Sequence, residues 1–422
     1  MKVYVESQGC SANFSEGEQL KGLIAKQNTL ADSADDADSL VLNICTVKGD
    51  YRVLKQLTRI KEQYPGKKLV VTGCVTDSIR DDIEKLDPNA SILGTYNIDR
   101  INDALLNKTT STGMQKLVKL DIPRKRDNPV VGIVQICSGC LDACAYCSTK
   151  LTKGHLFSYP EHMVLREVKK CIEDGCKEIW LTGQDTCCYG FDTNTDIVEL
   201  LEKITQIDGA FMVRVGMGNL RHVRKYKDRF IEVMKHPKIF RFVHIPVQSG
   251  NDEVLRTMLR GHGVQDYYDL VNDLREAIPD ITLSTDIIVG YPGETKEQFE
   301  GSLSLVEQSM PDAVNIARFA ARPNTRAAKL PDQIHGKVSK ERSRKLTTLF
   351  HRVAAKRNAA WLNWEGVITI SEHGKNNTSV GKNYAYKNVV VDEVYPLGTR
   401  LFVRIEHTHV FYLKGEIVEV AR

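Results

Sequence analysis

Ile136-Cys137-Ser138-Gly139-Cys140-Leu141-Asp142-Ala143-Cys144-Ala145-Tyr146-Cys147 is the stretch on which the reading of this chain turns. Within it Cys140, Cys144 and Cys147 form CxxxCxxC, three thiolates on one short loop. That spacing suits three irons of a four-iron, four-sulfur cluster and leaves the fourth iron open to a substrate. A structural metal site is the competing reading. Cys137 precedes Cys140 by a further CxxC, so the four thiols together could make an all-cysteine zinc knuckle. Zinc ribbons, however, place many more residues between their two CxxC pairs. A two-cluster ferredoxin run is also close in spacing, but it carries a proline after its last cysteine, which this run lacks. A motif is decided by its context, and the rest of the chain supplies it.

The 422 residues allow two or three domains with sizeable cores. With 42% hydrophobic and 27% charged residues, the composition is that of a soluble globular protein and excludes disordered and fibrous classes. The eleven cysteines are an odd number, and no apolar run approaches the roughly eighteen residues of a membrane span. Met1-Lys2-Val3-Tyr4-Val5 reads straight into a strand rather than a signal peptide. These features point to a reducing cytoplasm and no membrane, with the cysteines serving as metal ligands and free thiols. The net charge of +4 is too small to identify a nucleic-acid partner, but its distribution is informative. Acidic residues gather at Asp32, Asp35, Asp36 and Asp38, and basic ones at Arg221 to Arg229 and Lys337 to Arg357. The second basic run holds eight lysines and arginines against one acid, Glu341.

Residues 1–108 alternate strand and helix patterns, which predicts a parallel sheet covered by helices. Strands are expected over Lys2 to Ser7, Ser39 to Ile44 and Lys68 to Gly73, and helices over Glu16 to Lys26 and Tyr51 to Gln63. Cys10, Cys45 and Cys74 each follow one of these strands, in the polar turns Gln8-Gly9-Cys10, Asn43-Ile44-Cys45-Thr46 and Thr72-Gly73-Cys74. Open α/β sheets put their ligand crevice at the carboxyl ends of the strands, so the three thiols can converge there. Three ordinary core cysteines are the plain alternative. A threonine- and lysine-rich stretch from Asn107 to Asn128 then reads as a linker.

Residues 126–358 carry six strand signals: Val131 to Ile136, Glu178 to Thr182, Met212 to Val215, Arg241 to Val247, Thr282 to Val289 and Ala313 to Phe319. Six βα units suggest a partial (β/α)6 barrel with its chemistry at the carboxyl ends of the strands. The first strand delivers the cysteine loop. Lys337 to Asn358 reads as a helix with Leu346, Leu349, Phe350 and Val353 on one face, and its surplus cations suit a phosphate backbone. Residues 359–422 alternate over short strands at Val367 to Ser371, Asn388 to Val394, Arg400 to Ile405 and Val410 to Val420, the pattern of a small β-barrel. There Tyr384, Tyr386, His407, His409, Phe411 and Tyr412 are candidates to stack on bases, with at least half of them expected in the barrel core.

The cysteine loop, including the aromatic Tyr146 beside its last cysteine, resembles the signature of the radical S-adenosylmethionine (SAM) enzymes. With the three amino-terminal cysteines and the terminal barrel, the whole chain resembles the methylthiotransferases: an amino-terminal α/β domain, a radical SAM core and a terminal RNA-binding TRAM barrel. The run from Gly139 to Lys150, with Ser158-Tyr159-Pro160, looks most like the archaeal and eukaryotic branch. That branch adds a methylthio group to carbon 2 of N6-threonylcarbamoyladenosine, 3′ to the anticodon at position 37, in tRNAs that decode ANN codons. The resemblance implies two [4Fe-4S] clusters, a radical-generating one on Cys140, Cys144 and Cys147 and a sulfur-carrying one on Cys10, Cys45 and Cys74. SAM would serve as radical source and as methyl donor. Tyr146, Gly183, Gln184, Asp185, Gln248, Ser249 and Gly290 correspond to the family's SAM contacts. An electron donor such as a flavodoxin or ferredoxin and a sulfur donor are implied as partners. Within the fold, isopentenyladenosine in tRNA or a ribosomal-protein aspartate are alternative substrates, and an RNA-binding protein with structural zinc is the alternative of another class. Cys137 is expected not to be a ligand, because a fourth thiolate would close the open iron. Cys187 and Cys188, at the expected barrel mouth, could hold sulfur in transit if exposed in an activating setting, or be neutral replacements of small residues.

Overall fold

The computed structural model describes residues 1–45 and 49–421. Thr46, part of the turn read around Cys45, lies outside the described residues. The amino-terminal sheet contains β1 (Lys2–Ser7), β2 (Thr29–Leu30), β3 (Ser39–Ile44), β4 (Lys68–Gly73), β5 (Ser91–Gly94) and β6 (Thr110–Ser111). All are parallel, in the order β2-β1-β3-β4-β5-β6. The central β3 is buried along its whole length, which is why its sequence is a nearly unbroken apolar run. Helices Asp50–Gln63 and Asp77–Leu86 cover one face of the sheet, and Ser11–Ile24 and Ile101–Leu106 cover the other. Three strands begin and end where the sequence placed them, but the first helix starts five residues earlier than the expected Glu16. Cys10 therefore caps its amino end.

The stretch after β6 is no loose linker. It has no regular structure, but it straps the sheet to the next domain with Lys119 and Leu120 buried, and it crosses the first helix so closely that a Cβ on Gly22 would lie 2.1 Å from the Pro123 carbonyl oxygen. Its polar composition resembles a boundary, but it is a layer of contacts between domains.

The second domain has β7 (Val131–Gln135), a short antiparallel pair β8 (Cys137–Ser138) and β9 (Phe157–Ser158), then β10 (Glu178–Thr182), β11 (Met212–Arg214), β12 (Phe242–His244), β13 (Thr282–Val289) and β14 (Ala313–Arg318). Two parallel three-stranded sheets, β7-β10-β11 and β12-β13-β14, meet through a parallel bridge from Val213 to Ile239. This is the expected partial barrel of six strands, open between β7 and β14. The first helix of the chain seals the β7 edge: the Ser15 hydroxyl donates to the Ile133 carbonyl at 3.2 Å and Gln135 donates to the Ala12 carbonyl at 3.3 Å.

Helix Gly336–Ala359 packs Leu346, Leu349, Phe350 and Val353 into the barrel core, as its spacing predicts. It leads into a closed barrel of β15 (Glu365–His373), β16 (Thr378–Lys382), β17 (Asn388–Asp392), β18 (Arg400–Thr408) and β19 (Leu413–Val420). The polar β16, Thr-Ser-Val-Gly-Lys, has no alternation to betray it. Buried Asp312 ties this barrel to the second domain by pairing with Lys387 at 2.8 Å and Arg357 at 3.0 Å. No helix among the described residues is long and apolar enough to cross a membrane.

Candidate active site

The cysteine loop leaves β7 and is clamped at its base by the β8–β9 pair. Gly139 turns the chain at φ +74°, where a side chain would be strained, and a Cβ there would lie 2.0 Å from the His155 carbonyl oxygen. Its N–H donates to the Gln184 side chain at 2.7 Å, so a residue read as a SAM contact also holds the loop. Cys147 N–H closes the turn onto the Cys144 carbonyl at 3.0 Å. Arg260, buried, donates to the Cys144 sulfur at 3.3 Å and to the Pro246 carbonyl at 2.7 Å. Cys140, Cys144 and Cys147 all line one cavity of about 510 Å³ at the carboxyl end of the barrel. Cys137 does not: it is 1% exposed and turns to the Asp185 carbonyl at 3.7 Å. Burial holds its thiol well above the ordinary range.

Tyr146, Gly183, Gln184, Asp185 and Gln248 line the same cavity, as their assignment requires. Ser249 and Gly290 lie outside its lining: Ser249 is wholly buried, and Gly290 forms a turn held by Glu294 and packed against Ser339. Glu294 is in turn held by Arg342 at 2.6 Å, so that glycine-rich turn is anchored to the long helix.

Asp185 has both carboxylate oxygens engaged. One accepts the N–H groups of Cys187 and Asn219, each at 3.0 Å, and the other meets His222 Nδ1 at 2.9 Å. His222 Nε2 lies 3.5 Å from Asp142, inside the cysteine loop. Burial opposes a charge on this imidazole, but hydrogen bonds to Asp142 and Asp185 outweigh it and carry its pKa up to about 9. A buried imidazolium between two carboxylates thus underpins the loop. His222 and Arg260 belong to no motif, and only the folded barrel brings them to Asp142 and Cys144 of the loop.

Cys187 and Cys188 are not at an exposed mouth. They are 1% and 0% exposed, and neither lines the cavity. Cys187 packs under Gly218, whereas Cys188 lies behind Cys140, where its thiol donates to the Asp185 carbonyl at 3.2 Å. The sulfur of Cys140 and that of Cys188 lie within 4.8 Å of each other.

The second group of cysteines converges at the strand ends of the first sheet. The Cys45 thiol hydrogen-bonds both Cys10 and Cys74. Those bonds, supported by the nearby Lys153 ammonium, hold the pKa of Cys10 down to about 6 and lower that of Cys74, while Cys45 keeps its proton. Three thiols gathered around Cys45 at the ends of neighbouring strands are a donor set suited to a metal cluster. Cys45 and Cys74 are buried, and Cys10 is exposed and lines the same cavity as the loop cysteines. The chamber is therefore lined by all three loop cysteines and, from the second group, by Cys10.

At the far side of that chamber stands the carboxyl end of β14, with Asn315, Arg318, Phe319 and Arg322. Asp286 there is engaged by His244 at 2.8 Å and Asn315 at 2.7 Å. The Arg318 side chain has no hydrogen bond or ion pair among the described residues.

On the outer surface the aromatic residues sort differently from the expectation. Tyr384 and Tyr386 pack, but Tyr386 does so against Phe240 and Phe242 of the second domain, and the Arg241 guanidinium lies over the Tyr384 ring. His407, His409, Phe411 and Tyr412 are exposed, so fewer than half are core. His409 stacks on Tyr412 at 4.4 Å, and Phe411 meets His351 of the long helix at 5.2 Å. Of that helix's cations Arg342 and Arg357 are internal ion-pair partners and Lys345 pairs with Glu341, leaving Lys337, Lys340, Arg344, Arg352 and Lys356 exposed.

Comparison with known proteins places this geometry. Residues 134–306 match the radical SAM superfamily, and residues 2–94 match a family described as uncharacterized protein family UPF0004. The chain is 38% identical to a probable threonylcarbamoyladenosine tRNA methylthiotransferase of Pyrococcus abyssi, covering 99% of this chain and 100% of that one. A Methanothermobacter thermautotrophicus protein of the same description is 35% identical over 99% of both chains. The human threonylcarbamoyladenosine tRNA methylthiotransferase is 34% identical, over 100% of this chain and 75% of its own length. Among solved structures, the cobalamin-dependent SAM radical enzyme OxsB shares the fold with a TM-score of 0.51 at 10% identity, covering 83% of this chain and 56% of that one.

Proposed function

The chain belongs to the threonylcarbamoyladenosine tRNA methylthiotransferase family, and from that premise we propose that it replaces the hydrogen on carbon 2 of N6-threonylcarbamoyladenosine, at position 37 of tRNA, with a methylthio group. The observation that carries this reading is the shared chamber, lined by Cys140, Cys144 and Cys147 from the barrel and by Cys10 from the amino-terminal domain. Cys140, Cys144 and Cys147 would hold one [4Fe-4S] cluster, and Cys10, Cys45 and Cys74 a second. Clusters held there would supply reductive radical chemistry on SAM at the barrel site and sulfur at the amino-terminal site. A second SAM donates the methyl group.

The protein's own work is binding and orientation. Gln184 fixes the turn that presents Cys140, and Arg260 fixes Cys144. The Asp142–His222–Asp185 row holds the loop to the second strand end. Tyr146, Gln184, Asp185 and Gln248 line the chamber beside the cysteine loop and would hold SAM there. The threonylcarbamoyl group carries a carboxylate, which an isopentenyl group lacks. The Arg318 guanidinium, which lines the chamber and has no partner among the described residues, favours the carboxylate-bearing base. Exposed cations of the long helix and the aromatic group around Phe411 suit tRNA outside the chamber. A flavodoxin or ferredoxin would deliver electrons and a separate donor would restore the sulfur, in the cytoplasm.

Mass spectrometry of nucleosides from tRNA of a strain lacking the gene tests the reading. Loss of 2-methylthio-N6-threonylcarbamoyladenosine with accumulation of its unthiolated precursor is expected, and restoration by the gene. An unchanged level in the deletion strain would refute it. An Arg318→Ala protein is expected to lose most of its preference for the threonylcarbamoylated base over plain adenosine while binding SAM normally.

A further inference from the structure

Between the two groups of cysteines lies a row of buried charges that does not balance. Glu16, on the first helix, pairs with Lys119 of the strap at 2.6 Å and with Lys153 at 2.6 Å. Lys153 ends the short helix Thr149–Lys153, six residues beyond Cys147. The side chains of Lys119, Glu16 and Lys153 are 0%, 1% and 4% exposed. Thr95 donates to Glu16 at 2.9 Å and receives Lys119 at 2.7 Å, and the Tyr96 hydroxyl donates to the Lys153 carbonyl at 2.6 Å. The nearby acids Glu18 and Glu167 are taken by Arg124, at 3.7 and 2.5 Å.

Two cations thus face one anion out of reach of water, and an uncompensated buried charge is costly. Cys10 and Lys153 line the same chamber, and the Lys153 ammonium favours the charged form of both the Cys10 and the Cys74 thiol. Three thiolates around a [4Fe-4S] core carry a net charge of about −1, and one-electron reduction makes it more negative. The row supplies one positive charge where that negative charge would sit.

We propose that Lys119 and Lys153, held together by Glu16, are the built-in countercharge of a cluster on Cys10, Cys45 and Cys74 and set its reduction potential upward. The proposal rests on the second cluster of the reading above and adds what tunes it. A fixed cation stabilises the reduced cluster more than the oxidised one, so it eases electron uptake at the sulfur-carrying site. Because Lys153 comes from the barrel's own cysteine segment, this charge reaches the site only when the two domains are docked.

The test uses the full chain with Cys140, Cys144 and Cys147 changed to alanine, so that any remaining cluster belongs to the amino-terminal site. After anaerobic reconstitution, iron content and the midpoint potential are measured, the latter by redox titration followed by electron paramagnetic resonance. Lys119→Met leaves Glu16 and Lys153 balanced and is expected to lower the midpoint, and Lys119→Arg, which keeps the charge, is expected to restore it. Loading in the Arg variant but not in the Met variant would also support the proposal. An unchanged midpoint in Lys119→Met, an equal fall in both variants, or failure of both to load would overturn it and leave the row a packing element. Absence of iron in the parent would refute the second cluster itself, a failure recognised before any variant is compared.

Discussion

Replacing His222 by glutamine removes a buried positive charge from between Asp142 and Asp185 while leaving a donor of similar reach. The imidazole is raised from an ordinary value near 6.5 to about 9 by its two carboxylate bonds, against the opposing effect of burial. That shift corresponds to about 3 kcal/mol, or about 2 once screening is allowed for. The raised pKa fixes the sign: the contribution is complete below about pH 6.5, falls as pH rises, and is gone above about 9. His222→Gln should therefore be less stable than the parent by about 2–3 kcal/mol at pH 6, and the gap should close by pH 9.5. Urea unfolding under anaerobic conditions, at matched cluster content and at several pH values, measures it, with midpoints compared because a multidomain chain need not unfold in one step. A gap that stays constant from pH 6 to 9.5 would show that His222 is neutral and that the loop does not rest on an ion pair.

Gly139→Ala should abolish iron binding at the barrel site, since the new Cβ meets the His155 carbonyl at 2.0 Å; iron content equal to wild type would contradict the placement of the loop. Cys137→Ala should retain the barrel cluster, because its thiol points to the Asp185 carbonyl, and a loss of iron matching Cys140→Ala would make it a ligand. Phe411→Ala combined with Arg352→Glu should weaken tRNA binding and flatten its salt dependence without changing SAM cleavage; unchanged affinity would move the tRNA surface elsewhere.

Much of the fold was legible because its signals are local. The strand runs Lys2–Ser7, Ser39–Ile44, Lys68–Gly73, Glu178–Thr182 and Thr282–Val289 are apolar enough to mark themselves, as buried parallel strands must be. Thr378–Lys382 escaped because its pairing, not its composition, makes it a strand. The CxxxCxxC loop was legible for the same local reason. What the sequence did not disclose is set by distance along the chain: Arg260 reaches Cys144 across 116 residues, and Lys119 reaches Glu16 across 103. The polar strap from residue 112 looked like a boundary because its buried groups are charged, and only their partners on other elements explain them. Cys187 and Cys188 were placed at a mouth from strand position alone, yet the turn after β10 folds inward and buries both.

Cooperation between the two three-cysteine sites is best probed in a Cys45→Ala protein. Cys45 is 2% exposed and bridges Cys10 and Cys74, so its loss removes the centre of one site and touches nothing of the other. With the reconstituted enzyme, SAM, reductant and threonylcarbamoylated tRNA, 5′-deoxyadenosine and the modified nucleoside are quantified in the same reaction. 5′-Deoxyadenosine without methylthiolated adenosine is the expected result. Normal methylthiolation, with iron content equal to wild type, would mean that Cys10, Cys45 and Cys74 are core residues and that the barrel acts alone.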